Sequence, residues 1–231
     1  MQYIRKSSSR GQVNLGWLQS QHSFSFGHYY DSAHMGVSVL RVINDDVVAP
    51  GQGFGTHGHQ DMEIISYVID GALEHKDSMG NVHVVPAGDV QRMSAGTGVT
   101  HSEYNHSAKA PVNFLQIWIK PKSLGIKPSY QQQTIKPRGA LTPLVTPNGI
   151  DGSLSMHQDA SIYQLQLAVG EQFELQTGER LGYLHLVSGS IAIDGQVFVS
   201  GDGFAVDDNE QVVVKATQPF KALWFDLPLH G

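Results

Sequence analysis

Two short pairs in this sequence are able to hold a metal ion, His57-Gly-His59 and His101-Ser-Glu103. In an extended chain, residues i and i+2 project to one face about 6.6 Å apart along the strand, so each pair aims two ligand groups the same way. Both pairs follow glycine turns, Gly51-Gln-Gly-Phe-Gly-Thr before the first and Gly96-Thr-Gly98 before the second. A lone His-x-His is ordinarily a polar pair on a strand face. Two such pairs make a set of four ligands if their strands are neighbours in a barrel. Three neutral imidazoles and one carboxylate suit Fe(II), Mn, Ni, Cu or Zn, and an octahedral ion would keep two positions open for substrate and for oxygen or water. Spacing alone leaves the ion unnamed. No cysteine occurs among the 231 residues, so thiolate ligands, thiolate nucleophiles and disulfides are excluded.

The elements that must position these pairs are strands. Apolar residues come in short bursts, as in Val37-Ser-Val-Leu-Arg-Val-Ile43, Glu63-Ile-Ile-Ser-Tyr-Val-Ile69 and Val112-Asn-Phe-Leu-Gln-Ile-Trp-Ile119. Turn-forming clusters separate them: Asn44-Asp-Asp46, Asp77-Ser-Met-Gly-Asn81, Pro86-Ala-Gly-Asp89 and Gly96-Thr-Gly98. Many short strands at such intervals predict an all-β sandwich or barrel. Five of the ten prolines (Pro121, Pro128, Pro137, Pro143 and Pro147) fall in one stretch without alternation, which reads as a connector with one short helical turn. Beyond it, strands resume at Ser161-Ile-Tyr-Gln-Leu-Gln-Leu, Tyr183-Leu-His-Leu-Val and Phe220-Lys-Ala-Leu-Trp-Phe-Asp.

The two halves resemble each other. Ile65-Ser-Tyr-Val-Ile-Asp-Gly71 can be laid on Tyr183-Leu-His-Leu-Val-Ser-Gly189, each followed by a strand and a Gly-Asp turn, Gly88-Asp89 and Gly201-Asp202. On that register His57, His59 and Glu63 fall opposite Leu175, Thr177 and Leu181, so the second copy lacks the ligands. Charge narrows the partners. With a formal net charge of −6 and 15 Lys plus Arg spread thinly, a phosphate backbone meets little attraction, and direct nucleic-acid binding is not expected. No apolar run is long enough to cross a bilayer, and the first residues carry no apolar stretch of signal-peptide length, so cytoplasmic residence is the expectation.

Gly51-x5-His57-x-His59-x3-Glu63 followed by Gly71 resembles the first cupin motif, and Pro86-x-Gly88 with His101-x3-Asn105 resembles the second. Seven residues separate Glu63 from Gly71 where the usual cupin has six, and a segment is inserted before His101. Those departures are the form of the pirin family, as are Trp17, His22-Ser-Phe-Ser-Phe26, Tyr29-Tyr-Asp31, Phe54-Gly-Thr-His-x-His59 and Met93-Ser-Ala-Gly-x-Gly98. The resemblance covers nearly the whole chain. It implies a bicupin of two tandem jelly-roll barrels, with residues 1–135 holding the metal and residues 136–231 a barrel without ligands. It places the metal on His57, His59, His101 and Glu103, with iron the usual ion and Zn, Mn, Ni, Cu or Co compatible.

Bacterial relatives resemble quercetin 2,3-dioxygenases. The expected reaction is therefore oxidative opening of a flavonol with dioxygen, with Glu103 as general base. The alternative is a metal- or redox-sensing protein that docks onto an enzyme or transcription factor.

Several residues are read as bystanders. Glu63 is placed beside the ligands without binding the ion, because Glu103 supplies the carboxylate. Phe24, Phe26, Phe54 and Met93 are of the type to wall a pocket for a flat aromatic ligand, but apolar residues in a β-protein are more often core, and they read as core. His22, His28 and His34 read as surface or hydrogen-bonding residues, His75 has no partner at ligand spacing, and Asp45-Asp46 reads as a solvated turn.

Overall fold

The computed structural model describes residues 3–230. The first barrel is a seven-stranded sheet facing a four-stranded one. The large sheet runs in the order Ser129–Thr134, Asp89–Ser94, Glu63–Asp70, Val112–Ile119, Leu40–Val48, Leu18–His22 and Gly11–Asn14. The small one runs Gly53–His59, Val99–Asn105, Ala72–Asp77 and Val82–Pro86. The second half repeats the plan, with seven strands (Ile4–Arg5, Gly203–Val206, Leu181–Ser188, Phe220–Leu227, Ser161–Leu167, Leu141–Thr146, Leu154–Ser155) over four (Gln172–Gln176, Gln211–Ala216, Ser190–Ile193, Gln196–Val199). The expected all-β pair of cupin-type barrels is the observed fold, and the duplication holds for the four central strands of each large sheet, while the flanking pair is antiparallel in the first copy and parallel in the second.

The two large sheets pack against each other. Ile43, Ile65, Tyr67, Leu115 and Ile117 from the first meet Leu144, Ile162, Tyr183, Leu223 and Phe225 from the second in one apolar cluster. Strand parity explains the composition. In Glu63–Asp70, Ile65 and Tyr67 point into this joint, whereas Ile64, Ser66 and Val68 point into the first barrel, so both faces are buried and the strand reads as an unbroken apolar run. Tyr67 Oη also donates to Gln164 Oε1 across the joint at 2.9 Å.

The proline-rich stretch departs from the expectation. It holds two strands, Ser129–Thr134 pairing with Asp89–Ser94 and Leu141–Thr146 pairing with Ser161–Leu167. The first lies at a sheet edge, where a half-exposed strand needs no alternation; the second accommodates Pro143 at a shift in register between Pro143 and Val145. The only helical pieces among the described residues are 3-10 turns at Ser7–Ser9 and Ile150–Gly152. Asn44-Asp-Asp46, expected as a turn, lies inside the Leu40–Val48 strand with Asn44 and Asp46 buried. Because Phe225 is fully buried in the joint, Phe225→Ala should destabilise the protein by about 3–5 kcal/mol, measured by denaturant unfolding.

Candidate metal centre

The two histidine-bearing strands are neighbours, as the spacing requires. His57 pairs directly with His101, and His59 with Val99, in the antiparallel ladder between Gly53–His59 and Val99–Asn105. Between His101 and Glu103 the ladder shifts register, so that Glu103 stands opposite Phe54. A bulge of this kind re-aims side chains at the cost of regular pairing. Gly53 permits it: a Cβ there would lie 2.3 Å from the Glu103 carbonyl oxygen and 2.5 Å from Tyr104 Cα, so no larger residue fits.

The imidazoles converge. His59 Nε2 lies 2.9 Å from His101 Nε2, which lies 3.1 Å from His57 Nε2. Metal–nitrogen bonds of about 2.1 Å at right angles put adjacent nitrogens about 3.0 Å apart, so the spacing is that of cis ligands on an octahedral ion. Protons cannot account for it equally well. The contact from His57 Nδ1 to the Gly55 carbonyl, 2.8 Å, assigns the proton to Nδ1 and leaves a lone pair on Nε2. His101 Nε2 then either donates to His57 or accepts from His59, but not both, and a shared cation satisfies all three.

Electrostatics agrees with neutral ligands. Burial, then the neighbouring His101 and His57, pushes His59 down to about 4. Burial, then His57 and His75, pushes His101 down to about 3. Lone pairs are therefore available at neutral pH.

Glu103 is fully buried, and both its oxygens accept hydrogen bonds: Oε2 from Gln116 Nε2 at 2.7 Å and Oε1 from Ser66 Oγ at 3.2 Å. Its carboxylate falls in a second group of close ligand atoms with His101 and His75, distinct from the three-histidine group. His101 belongs to both. His75 was read as partnerless, yet its Nε2 lies 3.0 Å from Asp77 Oδ2 and its ring lies 5.4 Å from that of His101. The available signal was His75-Lys-Asp77, another i, i+2 pair, whose cross-strand partners Glu103 and His101 only the register reveals.

Glu63 stands elsewhere. It shares the face of Ile65 and Tyr67, accepts a bond from Ser94 Oγ at 2.9 Å and is buried toward the joint between the barrels. It touches none of the four residues expected to hold the ion, so the expectation that it sits beside them is not met, for reasons of strand parity.

A cavity of about 330 Å³ opens beside His57, His59 and Glu103. Phe26, Phe54 and Trp118 wall it, with the Trp118 ring 5.0 Å from His59 and 5.2 Å from Phe26. Of the four residues read as core, Phe24 and Met93 are core, whereas Phe26 and Phe54 line this cavity. His22, His28 and Asp46 line it too, with His22 and Asp46 buried rather than at the surface. A larger open hollow of about 820 Å³, beside Ala140 and Phe220 in the second barrel, has no group of three ligating side chains among the described residues.

Two cupin-type barrels, with the groups of ligating side chains found among the described residues all in the first and beside an apolar cavity, define a bicupin. The chain belongs to the pirin family: residues 3–119 match the Pirin family model and residues 143–227 match the Quercetinase C-terminal cupin domain. It is 47% identical over 229 residues to a quercetin 2,3-dioxygenase of Escherichia coli strain K12, covering 99% of each chain. A pirin-like protein of Caulobacter vibrioides is 38% identical over 221 residues, covering 94% of this chain and 95% of that one. The crystal structure of bacterial pirin YhhW from Escherichia coli in complex with nickel(II) superposes with a TM-score of 0.94 at 47% identity, covering 98% of each chain.

The depressed His59 and His101 fix the sign of one pH effect. Unfolded imidazoles take up protons below about pH 6.5, whereas the folded ones resist to about 4 and about 3, so stability is lost as pH falls through this window. In metal-free protein the denaturation midpoint should drop between pH 6.5 and 4.5, and His59→Gln with His101→Gln should flatten that slope. An unchanged slope in the double variant would contradict the burial of neutral rings.

Proposed function

We propose that this chain is a metal-dependent quercetin 2,3-dioxygenase whose ion is held by His57, His59, His101 and Glu103. The observation that carries the reading is the near-3 Å convergence of imidazole nitrogens from His57, His59 and His101 beside an apolar cavity. Identity of 47% over nearly the full length to a quercetin 2,3-dioxygenase supports the choice of reaction. Iron(II) is the ion we assign; all-nitrogen and oxygen donors suit it, and its redox chemistry suits dioxygen. When bound, the ion acts as a Lewis acid that lowers the pKa of a substrate hydroxyl.

The residues divide the remaining work. Glu103 accepts the proton released from the flavonol hydroxyl, within the hydrogen-bonding grip of Ser66 and Gln116, which orient its two oxygens. Trp118 packs its ring against His59 and fixes the imidazole's direction. Phe26, Phe54 and Trp118 give the flat substrate apolar walls and exclude bulk water from the reacting ring. Dioxygen is the second substrate; the products of ring opening are an ester of two aromatic acids and carbon monoxide. In this reading residues 1–135 carry the catalytic barrel, except that the Ile4–Arg5 strand joins the sheet of the second, and residues 136–231 buttress it through the apolar joint. We assign the enzyme to the cytoplasm, a reducing setting that suits iron(II) and the absence of cysteine pairs.

Protein purified without chelators or metal-affinity tags should carry one iron per chain, and iron-loaded protein should consume oxygen with quercetin. Glu103→Gln should lower kcat at least about 100-fold. Turnover absent with iron, nickel, copper, manganese and cobalt in turn would overturn the activity. A metal-dependent protein complex in its place would favour a sensor.

A further inference from the structure

The sheet wall of the same cavity carries a row of polar side chains that the reaction above leaves unused. Five adjacent strands contribute one residue each through direct cross-strand pairing: Gln91 pairs with Ser66, Ser66 with Gln116, Gln116 with Asn44, and Asn44 with His22. Asp46 and Ser20 pair beside the end of the row, two residues along their strands from Asn44 and His22. Residues opposite each other in a ladder share a face, so all of these face the interior of the first barrel. Each is at least nine-tenths buried.

The middle of the row is satisfied, whereas the end at Asn44 and His22 is not. Ser66 and Gln116 spend their hydrogen bonds on Glu103. At the far end Ser20 Oγ, His22 Nδ1, Asn44 Oδ1 and Asp46 Oδ1 are buried without hydrogen-bond partners. A buried polar atom left unpaired is costly; the Ser20 hydroxyl eases Asp46, but Asn44 Oδ1 and Asp46 Oδ1 on one wall of an otherwise apolar cavity call for a ligand to complete them. The acceptors among them set its chemistry. Asn44 Oδ1 and the Asp46 carboxylate accept, so the matching groups on a ligand are hydroxyl donors.

Resting on the dioxygenase reading, we propose that Asn44 and Asp46, flanked by Ser20 and His22, form a hydroxyl subsite that selects polyhydroxylated aromatic substrates over bare ones. The ligand enters with its chelating enol and carbonyl toward His57, His59 and Glu103. Its distal ring hydroxyls donate to Asp46 and Asn44. Burial, opposed by Ser20 and reinforced by Glu103 and Asp45, raises the Asp46 carboxyl to about 7, and donated hydroxyls would stabilise its ionised form. These residues position substrate and take no part in bond breaking. The row also explains why a strand reads Asn-Asp-Asp in its middle, since two of the three face this cavity.

The test is equilibrium binding without oxygen, so that it does not depend on turnover. Nickel(II)-loaded protein is titrated with quercetin and with 3-hydroxyflavone, which keeps the chelating groups and lacks the other hydroxyls; the visible absorbance of the bound flavonol is the readout. Native protein should prefer quercetin by at least about tenfold. Asp46→Ala should remove most of that preference by weakening quercetin alone, with 3-hydroxyflavone changing less than about twofold. Asp46→Asn, which keeps the shape, and Asn44→Ala give the same comparison if the first variant does not fold. Equal affinities in the native protein, or parallel losses of both ligands in the variants, would overturn the subsite. A preference that survives while oxygen consumption is absent would sink the dioxygenase reading and uphold the subsite.

Discussion

Three imidazole nitrogens, on His57, His59 and His101, stand within about 3 Å of their neighbours in a chain, and the one proton His101 Nε2 can carry does not satisfy both contacts. That geometry has a short list of causes. The direct pairing of His57 with His101 sets the two rings side by side, and the i, i+2 step to His59 adds the third. The register shift that follows lets Glu103 turn toward Ser66 and Gln116, and Gly53 is the residue that lets the strands approach there. Change any of these and the cluster disperses.

Rigidity comes from the other face of the wall. The large sheet of the first barrel is buried on both sides, one lining the cavity and one packed on the second barrel. The second barrel, without a ligand cluster of its own among the described residues, contributes Tyr183, Leu223 and Phe225 to that joint. A site whose residues sit on regular strands, backed by a packed core, keeps its geometry better than one on loops. On the function proposed above, one copy bears the chemistry and the other backs the wall that carries it.

What was legible in the sequence follows from local periodicity. The spacing within each pair, the strand bursts and the Gly-Asp turns depend on residues a few positions apart; the structure brings His57, His59 and His101 together, while Glu103 falls in a group with His75 and His101. What was not legible depends on cross-strand neighbours. His75 meets Glu103 through a ladder pairing across 28 positions, and Asp46 lies in a strand because its cavity overrides the turn preference of Asn-Asp-Asp. Glu63 misled for a related reason: the cupin motif fixes its position along the strand, but parity turns it to the joint. Phe26 and Phe54 look like core by type, and only the cavity distinguishes them from Phe24 and Met93.

On the function proposed above, an ion sits where the three imidazole nitrogens meet. X-ray absorption of iron(II)-loaded protein measures this directly. The expected spectrum shows three imidazole nitrogens at about 2.1 Å with a carboxylate oxygen completing the protein ligands. A spectrum fitted by oxygens alone, or by a single imidazole, would contradict it.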